Sequence, residues 1–156
     1  MAEIGKDMAL LTAGTKDKFN SMTIKNAAAG WVWSKEAFIA FVKPERYTWE
    51  FVRDNDWFTV SYFPKQMDGI HQVFARKSGR ETDKVRETGL TPEFLENGIT
   101  YKEACEVFVC RKRYMKQLDP VQIPEDVLQR YATESDIIFG EPHYAVIGEI
   151  VAHIER

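Results

Sequence analysis

The sequence has only two cysteines, Cys105 and Cys110, among its 156 residues. Two thiols fall short of the roughly four convergent ligands of a structural zinc site. Both sit in a stretch that reads as one strand, an odd number of residues apart, so they should point to opposite faces and not pair. Free thiols suit a reducing compartment. No apolar run approaches the ~18 residues of a membrane span, and Met1 to Asp7 lacks the apolar core of a signal peptide. A cytoplasmic protein with no membrane partner is expected. The patterns GxGxxG, GxxxxGK[ST], GxSxG and HExxH are all missing, so the common nucleotide, hydrolase and zinc-helix signatures are excluded. The three histidines, His71, His143 and His153, are scattered and suggest neither a metal site nor Cys–His catalysis. Positive charge is also short: 21 Lys and Arg against 24 Asp and Glu leave a net charge of −3. Nucleic-acid binding needs a basic face, so no such partner is expected. The short run Arg111-Lys112-Arg113 reads as solvated surface.

Aromatic residues, by contrast, are abundant at 13%. Flat rings favour a β-rich core, and equally a pocket for a planar ligand. The length suits one domain over residues 1–156. Met8 to Thr12, Asn20 to Ile24, Ala37 to Val42 and Trp57 to Phe63 read as strands. So do much of Glu103 to Leu118 and His143 to Ile154, with Gly148 marking a bulge or a close approach. Trp31-Val32-Trp33 reads as an interruption in an alanine-rich loop. Helical spacing appears over Arg46 to Arg53 and in the stretch after Pro64, where Met67, Ile70 and Phe74 form a stripe. A capping box at Ser78 and Glu81 predicts a helix running to Thr88, closed by Gly89. Pro124 opens a short helix to Tyr131. There is no regular strand–helix alternation, so a doubly wound sheet is disfavoured. A mainly β, antiparallel barrel with helical insertions fits the pattern.

Three segments offer polar groups in useful places. Asn20-Ser21-Met22-Thr23 combines an amide, two hydroxyls and a flexible apolar side chain at a strand edge. It suits hydrogen bonding to a planar heterocycle with Met22 covering its face, and equally a plain polar turn. Lys43 to Thr48 joins a strand to a helix. There Arg46 and Thr48 either meet an anion at the helix start or are a solvated cation and a cap. Ser78-Gly79-Arg80, followed by Asp83 and Lys84, again places hydroxyl, glycine and cation at a helix start, where the glycine admits an anion close to the backbone. The same residues also make an ordinary capping box.

The order of these segments carries a resemblance. Asn20 to Ile24, Trp33, Phe41 to Phe51, Phe58 to Pro64, Ser78 to Lys84, Gly89 to Pro92 and Tyr144 to Ile150 together resemble the flavin-reductase-like FMN-binding family, flavoredoxin-type proteins included. The resemblance implies a split β-barrel, usually a homodimer, with FMN near the subunit interface. It implies that Asn20, Ser21, Met22 and Thr23 line the flavin ring. Pro44, Arg46, Tyr47 and Thr48 would surround the phosphate and ribityl chain, and Ser78, Gly79, Arg80 and Lys84 would close on the phosphate. The sequence departs from the family at Lys25 to Trp31, where alanines stand in place of a glycine-rich stretch. The expected activity is electron transfer from NADH or NADPH through bound flavin to a protein or small-molecule acceptor. Two other readings stay open: a flavin-bearing carrier without nucleotide activity, and a flavin-free barrel serving as an interaction module. No catalytic acid or base is expected, because the flavin ring does the chemistry.

Overall fold

The structure is a computed structural model and describes residues 1–76, 79, 83–129 and 142–156. Its main element is a seven-stranded antiparallel sheet. The strands are β1 (Ala9–Gly14), β2 (Phe19–Ile24), β3 (Ala27–Val32), β4 (Lys35–Val42), β5 (Trp57–Tyr62), β8 (Glu106–Gln117) and β9 (Tyr144–Glu155), ordered β2-β1-β5-β8-β9-β4-β3. A separate hairpin joins β6 (Pro92–Leu95) to β7 (Gly98–Tyr101). Helix α1 (Tyr47–Asp54) follows β4, while α2 (Gly69–Arg76) and α3 (Lys84–Thr88) follow β5.

The sheet is covered on both faces, which explains the continuous apolar run in β1. Leu11 and Ala9 enter one core with Met22, Phe38, Val60 and Phe108; Leu10 enters the other with Phe74, Tyr101 and Val107. Successive strand residues point to opposite faces, so neighbours of one kind serve both cores. Burying a large apolar side chain is worth about 1.5–3 kcal/mol, and Leu10, Leu11, Phe38 and Val60 are each wholly buried. Gly148 is a close approach: a Cβ there would fall 2.5 Å from the Phe58 ring and 2.7 Å from the Cys110 Cβ. The β8–β9 ladder also shifts register twice, near Val109/Cys110 and Lys112/Tyr114.

Four sequence expectations need correcting. The alanine-rich stretch around Trp31 is a strand, β3, paired along its length with β4. Alanine is a poor strand former alone, and here β4 supplies the ladder. The turn between them uses Trp33 and Ser34 at φ 53° and 61°, left-handed values that no local glycine signalled. The β6–β7 hairpin was not anticipated. Cys105 precedes β8 instead of lying within it, and both cysteines are free. The capping-box helix does not run unbroken to Thr88: Asp83 is extended, and its side chain caps α3 by accepting from the Arg86 N–H. Gly89 closes α3 at φ 74°, as expected. Residues 125–129 are helical, and the rest of the helix predicted to Tyr131 lies outside the described residues.

Candidate functional site

Strand β2 is an edge strand of the large sheet. Its outer edge is where α1, α2 and α3 converge. Alternation along β2 sends Asn20 and Met22 to one side and Ser21 and Thr23 to the other. Asn20 Nδ2 donates to Thr48 Oγ1 at 2.8 Å, tying the strand to the start of α1. The Ser21 hydroxyl turns inward and bonds both Thr12 Oγ1 and the Tyr101 hydroxyl at 2.6 Å. The Thr23 hydroxyl donates to the His71 carbonyl of α2 at 2.9 Å. Burial lowers the His71 pKa.

Two cations meet at this edge. Lys84 is only 4% exposed, and its Nζ donates to the Ser21 carbonyl at 2.7 Å while lying 5.1 Å from the centre of the Phe74 ring. Arg46 donates to the carbonyls of Phe74 and Ala75 in the last turn of α2. Those carbonyls lack helical partners, so the guanidinium caps α2. Burial, and then the nearby Arg46 charge, push the Lys84 pKa down to about 8. Burial also lowers Arg46, which nevertheless stays charged. Among the described residues, no carboxylate forms an ion pair with either cation. Main-chain carbonyls are the partners of both buried charges instead.

A cleft of about 590 Å³ opens beside Lys84, with Arg46 outside its lining. It is lined by Lys18, Asn20, Ser21, Gly79 and Lys84, with the carboxylates of Asp17 and Asp83 also on its wall. Its size matches small-molecule sites, which run from about 300 to about 1,000 Å³. Gly79 lies so close to Asn20 that a Cβ would fall 2.1 Å from Oδ1. Because the Ser21 carbonyl faces Lys84 and not β1, the antiparallel ladder turns the main-chain groups of Ser21 and Thr23 to the free edge.

The structure therefore brings Asn20, Ser21, Arg46, Thr48, Gly79 and Lys84 together from three separate stretches of chain. Other expected residues stand elsewhere. Met22 is 5% exposed and packed in the core with Phe38 and Val60, so its side chain does not cover the cleft; strand alternation turns it inward. Thr48 is not the cap of α1, whose N-cap is Arg46 with no side-chain bond. Tyr47 stacks edge-on against Phe51 and lines a neighbouring cavity of about 300 Å³ with Lys18. Pro44 is half-buried in the loop before α1 and does not line the cleft. Ser78 and Arg80 lie outside the described residues. Phe74 and Tyr101 were missed as supports: Phe74 read as an ordinary stripe residue, and nothing near Tyr101 signalled its role.

The chain matches no protein-family model and no curated protein. Solved structures do match. A flavoredoxin from Methanosarcina acetivorans superposes with a TM-score of 0.74 at 20% identity, over 97% of this chain and 69% of that one. The FMN-binding protein from Thermus thermophilus, with bound 1-cyclohex-2-enone, gives 0.73 at 15%, over 96% and 70%. A Shewanella frigidimarina protein described as a flavin reductase with a split barrel domain gives 0.73 at 17%, over 97% and 67%.

The chain has the split-barrel fold. In this split barrel the large sheet stays open at β2 and β3. The cleft lies against the β2 edge. Among the described residues, no helix of the split barrel is long and apolar enough to cross a membrane.

Proposed function

We propose that the split barrel binds FMN in the cleft beside β2 and works as a flavin-dependent oxidoreductase. The observation that carries this is Lys84, a desolvated cation held by the Ser21 carbonyl in the wall of a cleft of ligand size, with the Arg46 guanidinium close enough to lower its pKa further. A phosphate is the counter-charge such a pair lacks, and Arg offers it a forked donor set. Asn20 and the main-chain groups of Ser21 and Thr23 face the space where a flat ring would lie. Bound there, a flavin would supply hydride and electron transfer between a reduced nicotinamide nucleotide and an acceptor. The residues of this chain would bind and orient it: Lys84 and Arg46 neutralise its phosphate, and Gly79, packed on the Asn20 amide, holds that amide in place. Met22 and the Ser21 hydroxyl serve the scaffold behind it. Ser78 and Arg80 belong to this proposed site by the resemblance.

The protein acts as a homodimer in this reading. Support comes from Trp31 and Trp33, 73% and 62% exposed on the edge hairpin of β3 and β4. Large exposed apolar groups mark interaction surfaces. The free thiols agree with a cytoplasmic setting.

The test is the visible spectrum of the purified protein with added FMN, then with NADH or NADPH in the absence of oxygen. Bound flavin that bleaches with a nucleotide supports the oxidoreductase. Bound flavin that stays oxidised reduces the function to that of a carrier. A protein that takes up no flavin overturns the proposal.

A further inference from the structure

Far from the cleft, the β8–β9 ladder opposes two glutamates. Glu106 and Glu155 are direct cross-strand partners. Like charges set opposite one another in a ladder destabilise it. Glu106 is moreover only 4% exposed. Among the described residues, no lysine or arginine forms an ion pair with either carboxylate. What lies between them is His153, two residues before Glu155 and so on the same face. Its Nε2 is 2.8 Å from Glu106 Oε1 and 3.6 Å from Glu155 Oε1.

We propose that Glu106, His153 and Glu155 form a binding site for a divalent transition-metal cation of the zinc class. The three ligand atoms lie within 4.8 Å of one another. A tetrahedral zinc about 2.1 Å from each ligand needs those atoms about 3.4 Å apart, and the two distances from the imidazole nitrogen fall on either side of that value. The ligands are also held in place. The His153 ring stacks on Phe108, with centroids 4.3 Å apart and planes at 12°. The second oxygen of Glu106 accepts the Ala2 N–H at 2.7 Å, while Oε1 shares a hydrogen bond with His153 Nε2 at 2.8 Å, which a cation between the two atoms would replace. Such outer contacts fix ligand orientation in metal sites. Glu106 is buried, while the His153 and Glu155 side chains are 37% and 58% exposed, so water has access to the remaining coordination position. One imidazole with two carboxylates suits zinc-class cations better than magnesium or calcium, which take oxygen ligands.

This site does not depend on flavin binding. From Ser21 to Glu106 is three strands across and three residues along, about 14 Å by about 10 Å at ordinary strand spacing. A cation here would cancel the repulsion between the paired glutamates and tie the end of β9 to β8 and the N-terminal segment.

The experiment is calorimetric titration of Zn²⁺ into the chelator-treated full chain, with and without FMN. One saturable equivalent is expected in both cases, with a rise in melting temperature on binding. His153→Gln and Glu155→Gln should each weaken uptake tenfold or more, and Glu155→Gln should do so without lowering the metal-free melting temperature, because it removes one of two opposed charges. Cys105→Ser should leave uptake unchanged. Absence of saturable uptake by the wild type, uptake that survives both ligand variants, or uptake abolished by Cys105→Ser would each overturn the proposal.

Discussion

The ammonium of Lys84 rests on the main-chain carbonyl of Ser21, 2.7 Å away and 63 residues earlier in the chain. A helix start and a sheet edge are thus joined by a buried cation. Replacing Lys84 with Met keeps the stem and removes the charge. A hydrogen bond to a charged group is worth about 1.5–3 kcal/mol, so FMN affinity should fall on the order of tenfold to a hundredfold. The free protein should not melt lower, because an apolar side chain there avoids desolvating a charge. Fluorescence titration and a thermal melt read the two effects separately. Unchanged FMN affinity would remove Lys84 from the site.

Titration of Lys84 also gives the protein a pH signature. Its pKa in the folded chain is about 8, below the ordinary 10.5. Between these values the unfolded chain binds more protons than the folded one, so stability rises with pH. The desolvation cost is full below about 8 and is relieved by about 10.5. FMN affinity should move the opposite way, weakening as pH rises past about 8 and the ammonium is lost. Urea melts and flavin titrations from pH 7 to 10 measure both trends. Lys84→Met should lack them.

Gly79 tests the close approach to Asn20. A Cβ at Gly79 would fall on the Asn20 amide, 2.1 Å from Oδ1. Gly79→Ala should displace that amide, break its bond to Thr48 and weaken FMN binding severalfold with little change in melting temperature. Equal affinity in the variant would argue against Asn20 as a contact.

Gly148 tests the core. Gly148→Ala drives a methyl group into the Phe58 ring and Cys110. Overpacking of this kind costs about 1–3 kcal/mol. At about 2–4 °C per kcal/mol for a chain of this size, a melting point lower by several degrees is expected in a thermal melt, without selective loss of flavin.

The edge hairpin tests association. Trp31→Glu puts a charge on the most exposed tryptophan of that surface. If two copies meet there, light scattering should show the dimer giving way to monomer. A dimer that persists would move the interface elsewhere.

How much of this was legible in the sequence varied by element. Strands β1, β4, β5, β8 and β9 announced themselves through apolar or alternating runs, and α1 through the spacing of Tyr47, Phe51 and Val52. Strand β3 did not, because Ala27-Ala28-Ala29 has no preference that β4 does not impose. The β2 segment was found, but its side chains were assigned to a ligand when alternation sends Met22 to one core and the Ser21 hydroxyl to Tyr101. The meeting of Arg46 with Lys84 crosses 38 positions, and no local pattern encodes it. Only the order of the motifs, through the family resemblance, put the two in one site.

The free edge of β2 has one more consequence. An unpaired strand is a template on which a second chain can add, the usual first step toward aggregation. Lys84 seats its charge on that edge at Ser21, where an intruding strand would have to dock and would find the carbonyl already taken. Charged side chains at such positions act as gatekeepers. The cation that favours an anionic ligand also occupies a main-chain acceptor that an added strand would need.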